Sequence, residues 1–189
     1  MNALHKTGKA QKLDIKTVFA LKLSIYTGLR DNSVRGARWR EIDFEKSIWT
    51  IPALRMKSRK EFKVPLPLQA IESLKTLQSL TFKDADSYLF PSSGKYGYMA
   101  ENTLRLALHR LGFEVTVHGM RSLITNVLNE HGFNRDAIER QLDHQERSQV
   151  RAAYLRSDFM EARTQMMQWF ADWCNSKEKR NVVPMRSAA

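Results

Sequence analysis

Apolar residues first fall into register at Val18, Leu21 and Ile25, the spacing of one face of a helix. Asp14 or the residues just before it stand where the cap of that helix belongs, and Gly28 stands where it would end. A second short helical turn is predicted from about Asn32 to Trp39. The period then changes. Ile42, Ile48, Trp49 and Ile51 are β-branched or aromatic and predict strands. After the basic stretch Leu54 to Glu61 (LRMKSRKE) comes another strand, Phe62 to Leu66 (FKVPL), so the pair reads as a β-hairpin with Lys57, Arg59 and Lys60 at or near its tip. Beyond Pro67 the period is helical over about 68–80, 101–111, 119–131, 134–142, 147–156 and 159–175, with Pro91, Ser92, Ser93, Gly94 and Gly97 making 91–100 a connector. The expected fold class is α+β and mostly helical, with a small antiparallel sheet in the N-terminal third. One domain over 1–177 is expected, followed by a polar tail at 178–189.

Composition narrows this picture. Hydrophobic residues make up 42% of the chain, enough for a packed core and too many for a disordered one. Lys plus Arg exceed Asp plus Glu by 31 − 20 = 11, a balance that points to a polyanionic partner, nucleic acid before an anionic membrane. The longest apolar stretches, such as Val18 to Leu23, are interrupted by Lys22 and far too short to span a bilayer. A single cysteine, Cys174, excludes an internal disulfide and any multi-cysteine zinc site, which fits a reducing cytoplasm.

The chemistry-bearing residues are spread along the chain: Thr27-Gly28-Leu29-Arg30, Lys57, His118-Gly119-Met120-Arg121, Leu142-Asp143-His144 and Tyr154. Each is unremarkable singly. An arginine after Thr-Gly is usually a solvated helix-end residue, lone histidines usually sit at a surface or core edge, and a tyrosine in RAAYLR usually packs its ring. His5, His109 and His131 stay in that bland class, and Asp84 with Asp86 reads as a loop rather than a metal site.

Taken together and in this order, the set resembles the tyrosine recombinase family, and most closely the integrases of P4-like prophages and genomic islands. The stretches that carry the resemblance are TGLRDNSVRGARWREIDF, WTIPALRMKSRKEFKVPL, HGMRSLITNVLNEHGF and AIERQLDHQERSQVRAAYLR, and it runs from about Leu23 to Trp173. The resemblance implies that Arg30 and Arg121 bind the scissile phosphate with His118 beside them, that His144 completes the pocket, that Lys57 is the hairpin lysine, and that Tyr154 is the nucleophile. It implies a 3′-phosphotyrosyl intermediate, a released 5′-hydroxyl, and rejoining to a different strand with no metal or other cofactor. It also implies double-stranded attachment sites, further protomers in a tetramer on DNA, and accessory DNA-bending or excisionase proteins as partners.

The physical chemistry of these residues agrees. Two guanidiniums can hold the nonbridging oxygens of a phosphate through paired charge-assisted hydrogen bonds. His118 and Arg121 lie three apart and share a helix face. Tyrosine, with a pKa of about 10, needs a proton acceptor or a strongly positive site to become a nucleophile, and Lys57 on a hairpin can protonate the departing oxygen. Arg55, Arg59, Lys60, Lys63, Arg105 and Arg110 are expected backbone-phosphate contacts. Trp169, Trp173, Phe170, Met166 and Met167 are read as core or protomer-contact residues.

Two positions depart from the resembling family. Ser33 stands where an acidic residue three positions after the first arginine is usual, leaving Asp31 as the carboxylate to orient Arg30. Asp143 replaces a glycine and is expected to bring a negative charge to the phosphate site or to His144. The resembling proteins carry arm-binding and core-binding domains ahead of the catalytic one, and the expectation here is a catalytic domain without them. Three other readings stay open at this point: a catalytically impaired integrase remnant that only binds DNA, a type IB topoisomerase, and a plain nucleic-acid-binding module.

Overall fold

The computed structural model describes residues 13–56, 58–114, 116–144 and 158–178. Asp14 caps the first helix, α1 (Ile15–Thr27), its carboxylate accepting from the Lys16 amide at 2.7 Å. Gly28 ends it in the left-handed region at φ 65, with its N–H returning to the Ser24 carbonyl. The predicted stripe understates this helix. Thr17, Phe19, Ala20, Leu21, Leu23, Ser24, Tyr26 and Thr27 are all buried, because α1 is central and packs against five other helices.

A short helix, α2 (Asp31–Arg35), and a 3₁₀ turn (Trp39–Glu41) lead into the sheet. Its strands β1 (Ile42–Asp43), β2 (Ile48–Ile51) and β3 (Phe62–Pro65) are antiparallel in the order β1-β2-β3, with Trp49 opposite Val64 and Ile51 opposite Phe62. Those four side chains are buried, so one face of the hairpin joins the core. The remaining helices are α3 (Leu68–Thr81), α4 (Thr103–Arg110), α5 (Val117–Glu130), α6 (Arg135–Gln141) and α7 (Met160–Glu178). The helix expected at 147–156 lies outside the described residues.

The structure sharpens two expectations. α5 begins at Val117 rather than 119 because the Thr116 hydroxyl caps it, accepting from the Gly119 amide at 3.0 Å, and this places His118 in the first turn. The connector at 91–100 contains an ordered turn: Pro91 and Tyr98 form a bridge, Gly97 takes φ 74, and the Arg35 guanidinium donates to the Met99 carbonyl at 2.9 Å.

Two packed clusters meet in the interior. The larger gathers α1, the sheet, α3 and α4. The smaller holds Ile124, Leu128, Ile138, Leu142, Met166, Met167 and Phe170 from α5, α6 and α7. Ile25 and Cys174 pack against both. Trp169 and Trp173 are half-buried around His131, with ring centroids 4.6 and 6.4 Å away. Among the described residues no helix is long and apolar enough to cross a membrane.

Candidate active site

The ends of α1 and α6 and the start of α5 come together where the two clusters join. Gly28 makes this approach possible: a Cβ there would lie 2.8 Å from Leu142 Cδ2, in a backbone conformation side chains already disfavour. The turn buries Leu29 and brings Arg30 out, its side chain 42% exposed.

Arg121 ties the junction. Its Nη1 donates to the Gly28 carbonyl and its Nη2 to the Leu142 carbonyl at 2.6 Å, while Gln141 Nε2 donates to the Thr27 carbonyl at 2.8 Å. A guanidinium has five N–H donors. Arg121 Nε is buried and has no hydrogen-bond partner among the described residues, and the whole residue is 3% exposed. Burial pulls its pKa down to about 10, the Arg30 charge pushes the same way, and Asp143 opposes both. The group is still a cation at neutral pH, and an anion would satisfy its open donor and offset its buried charge.

Arg30 is held by Asp143, not by Asp31. Its Nη1 lies 3.0 Å from the Asp143 carboxylate, and both terminal nitrogens reach the Asp143 carbonyl at 3.3 and 3.4 Å. The side chain of Asp143 is 10% exposed against 42% for Arg30. The carboxylate therefore sits behind the guanidinium and leaves its other edge open. The negative charge expected at the phosphate site or at His144 lies at the former, against Arg30. Asp31 instead pairs with Arg35 at 2.9 Å, and burial raises its pKa despite that arginine.

Arg30, His118 and Arg121 line one cavity of about 820 Å³, together with Arg35, Lys95, Tyr96 and Tyr98. Asp143 is absent from its walls, in keeping with its place behind Arg30. His118 is exposed in the first turn of α5, where amide groups face outward and favour an anion. His144 is not among the lining residues. Its Nδ1 lies 2.8 Å from Glu139 Oε2, a contact that orients the ring. Lys57 and Tyr154 lie outside the described residues. The Asp158 carboxylate is bound by Arg140 at 2.8 Å and Arg163 at 3.2 Å.

Of the expected DNA contacts, Arg59, Lys60 and Lys63 are exposed on the β2–β3 hairpin, and Arg105 and Arg110 on α4. Arg55 is placed differently. It folds inward against Glu41, whose side chain is 2% exposed, and donates to the Ser33 carbonyl. Its charge compensates a buried carboxylate that also accepts from Trp49 Nε1 at 3.0 Å. Arg163, which stands outside the motifs of the sequence, is 0% exposed and donates to Gln141 Oε1 at 2.9 Å and to the Lys63 carbonyl at 2.7 Å. The signal was present: Arg163 sits three and four positions before the buried Met166 and Met167, so it falls on the buried face of α7.

Arranged this way, the domain has the fold of the tyrosine recombinase catalytic domain. It matches the integrase from mycobacterium phage Brujita with a TM-score of 0.66 at 16% identity, over 83% of this chain and 52% of that one. It matches the XerA recombinase with a TM-score of 0.55 at 18% identity, over 89% and 58%. The sequence matches the model of the phage integrase family over residues 1–161, and the chain belongs to that family. Among curated relatives, the integrase of Enterobacteria phage P4 is 38% identical over 90% of this chain and 43% of its own length. The integrase of Shigella phage Sf6 is 38% identical over 86% and 43%. The chain thus spans less than half the length of these relatives.

Proposed function

We propose that this chain is the catalytic part of a site-specific DNA recombinase that integrates or excises a mobile element by transesterification through Tyr154. The observation that carries this reading is the meeting of Arg30, His118 and Arg121 on one cavity, with a buried Arg121 donor lacking a partner among the described residues. Such a site is built for an anion with several acceptor oxygens, which a phosphodiester supplies.

In the proposed reaction Arg30 and Arg121 hold the nonbridging oxygens and stabilise the charge that builds on them during attack. The Tyr154 oxygen bonds to phosphorus and its proton passes to Nε2 of His144, whose ring Glu139 orients. The bond to the 5′ oxygen breaks as Lys57 protonates it. The resulting 3′-phosphotyrosyl ester keeps the bond energy, so a second 5′-hydroxyl can reverse the step on another strand with neither ATP nor metal. Double-stranded attachment sites are the substrate, and further protomers on the same DNA are the partners.

The test is covalent trapping. A nicked target-site oligonucleotide, which loses its short 5′-hydroxyl fragment on cleavage, is expected to leave the chain as a slow-migrating adduct on a denaturing gel, and Tyr154→Phe is expected to leave none. An adduct that persists in Tyr154→Phe, or no adduct under conditions where a control recombinase reacts, would overturn the assignment.

A further inference from the structure

The cavity is also lined by two tyrosines that the reaction above does not use. We propose that Tyr96 and Tyr98 form a stacking platform for an unpaired nucleobase on the strand whose phosphate lies on Arg30 and Arg121, an inference that rests on the DNA-cleaving reading.

Three rings form a ladder, with centroids 5.0 Å apart between Tyr88 and Tyr98 and 6.0 Å apart between Tyr98 and Tyr96. The inner end is fixed. The Arg38 guanidinium lies 4.2 Å over the Tyr88 ring and donates to its hydroxyl at 2.8 Å, and Arg35 lies 5.9 Å from the Tyr98 ring. Arg35 also binds the Met99 carbonyl, so the turn is pinned to α2 right beside Arg30. The outer end is open: Tyr96 is 66% exposed, with the Lys95 ammonium 5.5 Å from its ring. Single exposed aromatics need no explanation. This one continues a braced ladder into the cavity that Arg30, His118 and Arg121 line.

Cations and aromatic faces on one cavity match the two parts of a nucleotide, its phosphate and its base. The balance of +11 on the chain favours a polyanion over a neutral aromatic ligand. Of the two carboxylates on the cavity walls, Asp31 is held by Arg35 and Glu101 is exposed. The tyrosine faces carry no donor–acceptor code for base edges, so the platform takes any base and requires only that it be out of its stack. That requirement fits the reaction, since a strand that changes duplex must first release the bases beside the cut from their old partners.

The experiment compares two probes with the 189-residue chain: an intact duplex, and the same duplex with a short gap and 2-aminopurine at an unpaired position opposite it, whose fluorescence falls when it stacks. The wild type is expected to bind the gapped probe more tightly and quench it. Tyr96→Ala, an exposed site whose loss leaves the fold intact, is expected to weaken gapped-probe binding by about tenfold and abolish the quench. Its intact-duplex affinity is expected to move by less than about twofold, and Tyr96→Phe is expected to behave as wild type. Equal quenching by Tyr96→Ala and the wild type would overturn the platform while leaving the recombinase reading standing. Failure of the wild type to bind either probe would overturn both.

Discussion

Two pairs of arginines show how one side chain type serves two purposes in this domain. Arg55 and Arg163 sit at the sheet and its junction with α7, and their guanidiniums are consumed inside the protein by Glu41, Asp158, Gln141 and main-chain carbonyls. Arg30 and Arg121 are also held, by Asp143 and by the carbonyls of Gly28 and Leu142, but both face a common cavity and keep donors for a ligand. The difference lies in what surrounds them. Arg163 is fully buried and Arg55 is turned onto the buried Glu41 carboxylate, so both find their partners within the chain, whereas the wall of the shared cavity lets one edge be fixed while the other waits for an anion. The first pair holds the fold together, and the second is positioned by it.

The largest expected effect tests the structural pair. Arg55→Met leaves the Glu41 carboxylate buried with its main countercharge gone, at a cost of about 4 kcal/mol and a fall of about 10 °C in Tm. Adding Glu41→Met to it is expected to recover most of the loss in a thermal melt. A single variant that melts within a degree or two of wild type would erase the contrast. Arg30→Lys probes the other side. It keeps the charge but gives up the forked donor geometry, so adduct formation is expected to slow by about a hundredfold with Tm nearly unchanged. A matching drop in Tm would place Arg30 with the structural arginines instead.

Asp143→Asn is expected to do less. It keeps the shape at the left-handed φ of 49, which asparagine tolerates, while removing the charge behind Arg30. Adduct formation is expected to slow by about tenfold while phosphate affinity falls little, because the carboxylate aims the guanidinium and is absent from the cavity wall. Faster cleavage would instead mean that Asp143 competes with the substrate.

Much of this protein is legible along the chain because the signals are local. The Asp14 cap, the Gly28 stop, the alternation of Trp49 and Ile51, and the periods of α3 to α7 depend on neighbours a few residues away. The family resemblance is legible for the same reason, since it resides in short stretches around Arg30, Arg121 and His144. Which charge meets which is not local. Asp31, one residue from Arg30, turns to Arg35 four positions on along α2, while Asp143 reaches Arg30 from far down the sequence. Arg55, in a run that reads as uniformly basic, is claimed by a carboxylate that the 3₁₀ turn had buried. By itself the sequence determined the elements, the family and the candidate residues for the chemistry. Only the tertiary structure decided which arginines satisfy the interior and which stay open on a cavity, because a buried charge takes the partner that packing puts within reach, whatever their separation along the chain.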